Sequence, residues 1–240
     1  MAETDLLPNF LLLFGCYAYV LVIITVSSRF ASLSGGSPKL SRKFLHIMIG
    51  NLPFVIPFFT LTSFPLDFPF LVAAPFVIVT FLATPYSPLK RLTERFGGLG
   101  GITEQGHQLG LVFYAVSYTV LALFFSARPY IIAAGILPMA YGDASASLVG
   151  EKYGRTRFRL LADKSVEGSA AMFTIGLAGI LVGLFYFSAF YPINPLSLLW
   201  PALGSMVVAT LAEGLTPLGF DNVTVPLLGA LTFLVLSGGL

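Results

Sequence analysis

Pro129-Tyr130-Ile131-Ile132-Ala133-Ala134-Gly135-Ile136-Leu137-Pro138-Met139-Ala140-Tyr141-Gly142-Asp143-Ala144-Ser145-Ala146-Ser147-Leu148-Val149-Gly150 carries one charge in its whole length, Asp143. A helix needs roughly 20 mostly apolar residues to cross a bilayer, and this run meets that length. Working outward, similar runs cover Pro8 to Ser28, Phe44 to Leu61, Leu66 to Thr84, His107 to Ser126, Ser169 to Phe190, Leu196 to Ala212 and Val223 to Leu240. The expected fold is an all-α polytopic membrane protein of about eight transmembrane helices, a single catalytic domain over residues 1–240. The second run contains His46, Asn51, Pro53 and Pro57 and is expected to be broken or re-entrant. The first run follows Glu3 and Asp5 where a signal peptide would have basic residues, so it is expected to stay as a span.

Composition agrees. Of the 240 residues, 56% are hydrophobic and 10% charged, and the mean hydropathy is +0.88. Soluble domains carry roughly a quarter charged residues, so a soluble enzyme is excluded, and so is disorder. A net charge of +2 excludes a nucleic-acid partner. The lone Cys16 excludes an internal disulfide and a multi-cysteine metal site.

The connections between runs sort by charge. Arg29, Lys39, Arg42 and Lys43 lie between the first and second, and Lys90, Arg91 and Arg95 between the third and fourth. Lys152, Arg155, Arg157, Arg159 and Lys164 lie between the fifth and sixth, whereas the even-numbered connections contain only Arg128. Basic loops stay in the cytoplasm, which predicts both termini outside and the odd-numbered loops inside.

Those loops also contain the chemistry. Asp143, Ser147 and Glu151 recur every four residues, so a continuous helix aligns them on one face. Gly142, Ala146 and Gly150 form a neighbouring stripe that lets another helix approach closely. An acid near the end of an apolar span usually serves a pathway, a partner or a metal, which singles out Asp143. Lys164-Ser165-Val166-Glu167-Gly168-Ser169 places a lysine and small residues at a helix start, where free amides can cradle a phosphate and Glu167 adds a metal ligand or pairing partner. Arg157 and Arg159 are read as membrane anchors or headgroup contacts. The seventh loop carries Glu213, Asp221 and Asn222 and no base. With Asp143 and Glu167 it offers the oxygen ligands Mg²⁺ takes alongside phosphates, and Asp221-Asn222 also suits a helix cap. Arg42-Lys43-Phe44-Leu45-His46 can contact a phosphate or leaving group, or His46 can serve as an interhelix hydrogen bond. Glu104, His107 and Gln108 are weaker candidates.

No nucleotide-binding motif of the soluble folds is present. The inventory suits phosphoryl or nucleotidyl transfer, where neutralising and positioning charge matter most.

The chain resembles the membrane CTP-dependent lipid kinases: dolichol kinase, phytol and farnesol kinases, and CTP-dependent diacylglycerol kinase. The resemblance rests on Arg42-Lys43-Phe44-Leu45-His46, on Gly142-Asp143-Ala144-Ser145-Ala146 with Gly150 and Gly154, and on Lys164-Ser165-Val166-Glu167-Gly168-Ser169. Glu213-Gly214-Leu215-Thr216 and Asp221-Asn222-Val223-Thr224-Val225-Pro226 complete it. One departure is Gly106-His107-Gln108-Leu109-Gly110, where many members look more like Gly-Glu-x-x-Tyr. The resemblance implies Mg²⁺-dependent transfer of the CTP γ-phosphate to the hydroxyl of a membrane isoprenoid alcohol at the cytoplasmic face. It implies Asp143 as Mg²⁺ ligand, Lys164 on the phosphates, and Glu167, Glu213 and Asp221 as metal ligands or hydroxyl-orienting groups. Arg42, Lys43 and Lys152 would hold phosphate oxygens, with His46, Gly142, Gly150, Gly154, Ser165, Gly168 and Asn222 in the same nucleotide site. Two alternatives stay open: a cytidylyltransferase making a CDP-lipid, which would release pyrophosphate, and an ion-coupled transporter with Asp143, His46 and Glu213 as a relay.

Overall fold

The structure, a computed structural model, describes residues 6–33, 38–60, 67–89, 108–159, 163–217 and 219–239. They are almost wholly helical and fall into two units, residues 1–127 and 128–240, each described by itself.

The first unit begins with α1, Leu6–Leu33, whose apolar run meets no proline after Pro8. α2, Pro38–Ile49, is amphipathic, and it ends where Gly50 and Asn51 turn the chain into a 3-10 segment, Leu52–Phe58. Pro53 and Pro57 lack the N–H an α-helix needs, so the second apolar run is broken where its prolines predict. α3, Phe68–Leu82, is capped by Asp67, which accepts from the Phe70 N–H at 3.1 Å and also from the Ser126 hydroxyl. α4, Gly110–Phe125, packs along α3. Three polar side chains of α1 are satisfied by distant parts of the unit: Asn9 donates to Thr60 Oγ1 at 2.7 Å, Tyr17 to Leu71 O at 2.7 Å and Tyr19 to Met48 O at 2.8 Å.

The second unit opens with α5, Pro129–Leu137, which passes through a π-helical segment, Pro138–Asp143, into α6, Ala144–Tyr153. Pro138 can donate no backbone bond, and the ladder widens there before α-geometry resumes. A two-stranded antiparallel ribbon follows, β1 Arg157–Arg159 and β2 Asp163–Ser165, a feature absent from the sequence expectation of a basic loop. α7, Val166–Phe187, starts at an N-cap in which Ser165 Oγ accepts the Gly168 N–H at 3.1 Å. α8, Leu199–Leu215, packs along α9, Asp221–Leu236.

Helices α6 and α7 meet through the small-residue stripe. A Cβ on Gly142 would stand 2.8 Å from Met172 Sδ and 2.9 Å from the Met172 carbonyl oxygen, and one on Gly168 would stand 2.9 Å from Ala146 O. Gly142→Ala is therefore expected to destabilise the protein by about 1–3 kcal/mol, since the backbone carbonyl cannot move aside; a thermal-unfolding scan in detergent checks it.

Among the described residues, three helices are long and apolar enough to cross a membrane, Leu6–Arg29, Pro129–Tyr153 and Val166–Phe187. Four shorter apolar helices accompany them, Phe68–Leu82, Gly110–Phe125, Leu199–Leu215 and Asp221–Leu236. Leu11, Phe14, Val182, Trp200 and Val235 stand exposed on these helices, an arrangement suited to lipid and costly in water.

Candidate active site

The ribbon places the key cation. Phe158 pairs with Lys164, so the two side chains share one ribbon face while Arg157 and Arg159 take the other. On the shared face, the space beside Gly214 in α8 is filled by the Phe158 ring, 3.9 Å from where a Cβ would be, and Lys164 forms a salt bridge with Glu213 one residue earlier. Glu213 is only 2% exposed.

Two further carboxylates act on the same ammonium. Burial by itself lowers the Lys164 pKa, but the charges of Glu213, Asp143 and Asp221 outweigh it and raise the net value above the ordinary 10.5. Asp143 ends the π-helical segment and Asp221 begins α9, both buried. Asp221 is held by its neighbour: Oδ1 accepts from the Asn222 N–H at 3.0 Å and from Asn222 Nδ2 at 3.1 Å. Asn222 Nδ2 also donates to Gly219 O at 2.9 Å, and Gly219 occupies the left-handed region at φ 83°, which lets the chain turn from α8 into α9. The Thr216 and Thr224 hydroxyls, 3.0 Å apart, tie the two helices together across the turn.

The pH consequence follows from the sign of the shift. A lysine whose folded pKa is raised stabilises fully below its unfolded pKa and loses that contribution as pH rises through the folded value. Thermal stability should accordingly show no loss from Lys164 at neutral pH and should fall above about pH 10.5, and a Lys164→Met variant should lack that alkaline step.

Other predicted residues lie differently. Glu167 turns away to the ribbon, where its carboxylate accepts from the Thr156 N–H at 3.2 and 3.3 Å. At the start of α7, the Val166 N–H donates to Thr156 O at 3.0 Å and the Gly168 N–H to Ser165 Oγ, so these amides are committed within the chain. Gly150 and Gly154 pack around Ser165: a Cβ on Gly150 would lie 3.0 Å from its Oγ, and one on Gly154 2.8 Å. Lys152 is exposed, with its ammonium 5.2 Å from the Tyr153 ring centre. Along the four-residue stripe Asp143 is buried, Ser147 half-buried and Glu151 exposed, so the stripe runs from packed interior to surface.

In the first unit, Arg42, Lys43 and His46 are all buried on α2. The His46 ring stacks on Tyr114 with centroids 4.7 Å apart and an interplanar angle of 6°, and the Tyr114 hydroxyl donates to His46 O at 3.3 Å. Glu104, His107, Lys90, Arg91 and Arg95 lie outside the described residues.

Sequence reasoning did not assign Phe158, which shares the ribbon face with Lys164. Its signal was the period-two alternation Arg157-Phe158-Arg159. Arg157 is 56% exposed and 3.9 Å from an equally exposed Asp163, so the pair contributes little. Arg157→Ala should leave turnover within about twofold of the parent when the two purified proteins are assayed side by side.

Exposed apolar helices and a buried nest of one lysine and three carboxylates define a helical membrane protein with a polar site at its helix ends. The chain is 30% identical over 218 residues to a phytol kinase of Synechocystis sp. (strain ATCC 27184 / PCC 6803 / Kazusa), covering 89% of this chain and 86% of that protein. It is 30% identical over 227 residues to phytol kinase 1, chloroplastic, of Arabidopsis thaliana, covering 89% and 70%. It is also 30% identical over 136 residues to CTP-dependent diacylglycerol kinase 1 of Saccharomyces cerevisiae, covering 51% and 46%. No family model and no solved structure matches the chain. The chain belongs to the membrane lipid-alcohol kinase family that these proteins represent.

Proposed function

We propose that the protein transfers the γ-phosphate of CTP to the hydroxyl of a membrane isoprenoid alcohol, with Mg²⁺, releasing the lipid monophosphate and CDP. The observation that carries this reading is the buried nest in which Lys164 pairs with Glu213 under the charges of Asp143 and Asp221, in a chain similar to phytol kinases along most of its length. CTP as donor draws on the yeast relative, whose name states CTP dependence.

The donor set suits Mg²⁺. No group of three or more His, Cys, Asp or Glu side chains forms a protein cage among the described residues. Mg²⁺ sites in phosphoryl transfer commonly use one or two carboxylates and complete the shell with phosphate oxygens and water. Asp143 and Asp221, both buried and both acting on the Lys164 ammonium, would hold the ion in that way. The ion would neutralise charge on the phosphate oxygens.

The chain's own residues do the rest. Lys164 holds the β- and γ-phosphates, and Glu213 and the Phe158 ring keep its ammonium in place until they arrive. The lipid hydroxyl forms the new bond to the γ-phosphorus as the bond to the β–γ bridging oxygen breaks. Its proton passes to a carboxylate of the nest, and CDP leaves with the bridging electron pair. Eight crossings with the basic loops in the cytoplasm would expose this nest to cytosolic CTP.

The test is purified protein in detergent with Mg²⁺, γ-labelled CTP and a panel of isoprenoid alcohols plus diacylglycerol. Label in the organic phase supports the proposal, and the best acceptor names the substrate. Label that moves only from α-labelled CTP onto lipid phosphates replaces it with cytidylyl transfer. No movement of either label rejects both.

A further inference from the structure

We infer that the Thr210 hydroxyl binds the oxygen of the acceptor lipid alcohol, on the hydrocarbon side of the charged nest, an inference that rests on the kinase reading above. Other threonines inside the helices of this chain turn back on their own backbone. Thr25, Thr80, Thr119 and Thr174 donate to the carbonyls of Leu21, Phe76, Ala115 and Ala170, four residues earlier, at 2.8, 2.6, 2.7 and 2.9 Å. Thr210 in α8 does not. Its Oγ1 is buried, and among the described residues no hydrogen-bond partner stands within its reach. A buried hydroxyl without a partner costs stability, and its retention calls for a reason beyond packing.

Its place on α8 supplies that reason. Thr210 precedes Glu213 by three residues and Gly214 by four, so it shares a side of the helix with both. Glu213 pairs with Lys164, and the Phe158 ring lies 3.9 Å from where a Cβ on Gly214 would be. The hydroxyl therefore stands one turn, about 5 Å, from the nest, with a residue that has no side chain between. That turn leads into the apolar body of α8, where Val207 and Leu211 flank Thr210 and are 49% and 59% exposed. A lipid tail can lie along these two side chains while its oxygen turns inward to Thr210. There the Thr210 O–H donates to one lone pair of the acceptor oxygen, and the acceptor's own O–H faces a carboxylate of the nest. The second lone pair is left for the γ-phosphorus.

The experiment compares the parent, Thr210→Val and Thr210→Ser as full-length proteins in detergent. Valine removes the hydroxyl at nearly constant shape, and serine restores it. With farnesol and CTP, Thr210→Val should lower kcat/KM for farnesol about three- to tenfold, leave KM for CTP within about twofold and leave the melting temperature unchanged or raised. Thr210→Ser should recover most of the farnesol kcat/KM. Parent-level farnesol kinetics in the valine variant, an equal rise in KM for CTP, or a serine variant as impaired as the valine one overturns the inference. The second arm needs no turnover: radiolabelled farnesol is bound without nucleotide and competed with unlabelled farnesol or with farnesene, a hydrocarbon that lacks the hydroxyl. The parent should prefer farnesol, and Thr210→Val should reduce that preference by about threefold or more. Equal competition in the parent, or a preference that survives in the valine variant, overturns the inference. If no phosphate reaches lipid while Thr210→Val still abolishes the preference, the reaction is wrong and the hydroxyl site stands. Turnover with an unaltered valine variant has the opposite meaning.

Discussion

Lys164→Ala is expected to abolish phosphoryl transfer, with a loss on the order of 10²–10³ or more in kcat, while the protein still folds in detergent. Its ammonium is paired with Glu213 and lies under the charges of Asp143 and Asp221. Removing it takes away the contact proposed for the β- and γ-phosphates and the ammonium that pairs with the buried Glu213. Breaking a buried pair from one side costs about 3–5 kcal/mol, so the variant should also melt lower. A double variant, Lys164→Met with Glu213→Gln, separates the two effects. It should regain most of the lost stability, because no uncompensated charge is left, and should stay inactive. Activity restored in the double variant would show that Lys164 acts only in folding. Retention of parent-level turnover by Lys164→Ala would remove the nest from the mechanism.

Asp143→Ala should have the second-largest effect, with turnover falling by about 10² and stability unchanged or raised. The sign of the stability change follows from burial. A carboxylate at the end of an apolar segment carries a desolvation cost, which the substitution removes. A residue that matters only for packing would behave in the reverse manner, losing stability and keeping activity. Paired measurements of kcat, KM for CTP and melting temperature distinguish the two. A rise in the Mg²⁺ concentration needed for half-maximal rate in Asp143→Asn would tie the loss to the metal; an unchanged Mg²⁺ dependence would assign Asp143 another role.

Much of this was legible in one dimension. The break in the second apolar run follows from Pro53 and Pro57, whose missing N–H groups no tertiary contact can restore. The spacing of Gly142, Ala146 and Gly150 announced a close helix contact, and the structure supplies Met172 and Gly168 of α7 as the other side. Asp143, Lys164, Glu213 and Asp221 stood out because charges are rare in this chain and cluster where apolar runs end. Glu167 illustrates the limit. It stands three residues from Lys164 in sequence, yet it faces Thr156 while Lys164 faces a glutamate 49 residues away.

By itself the sequence determined that this is a membrane protein of apolar helices, that its second apolar run is broken, and which few residues can carry charge chemistry. Those properties depend on composition, on proline geometry and on the length of apolar runs, all of which are local. Only the tertiary structure decided which of the charged groups meet. Strand pairing puts Phe158 and Lys164 on one face, and a one-residue slip in register would turn Lys164 away from Glu213. The packing of α6, α7, α8 and α9 then brings three acids from distant segments within electrostatic reach of one lysine, a proximity that no local pattern encodes.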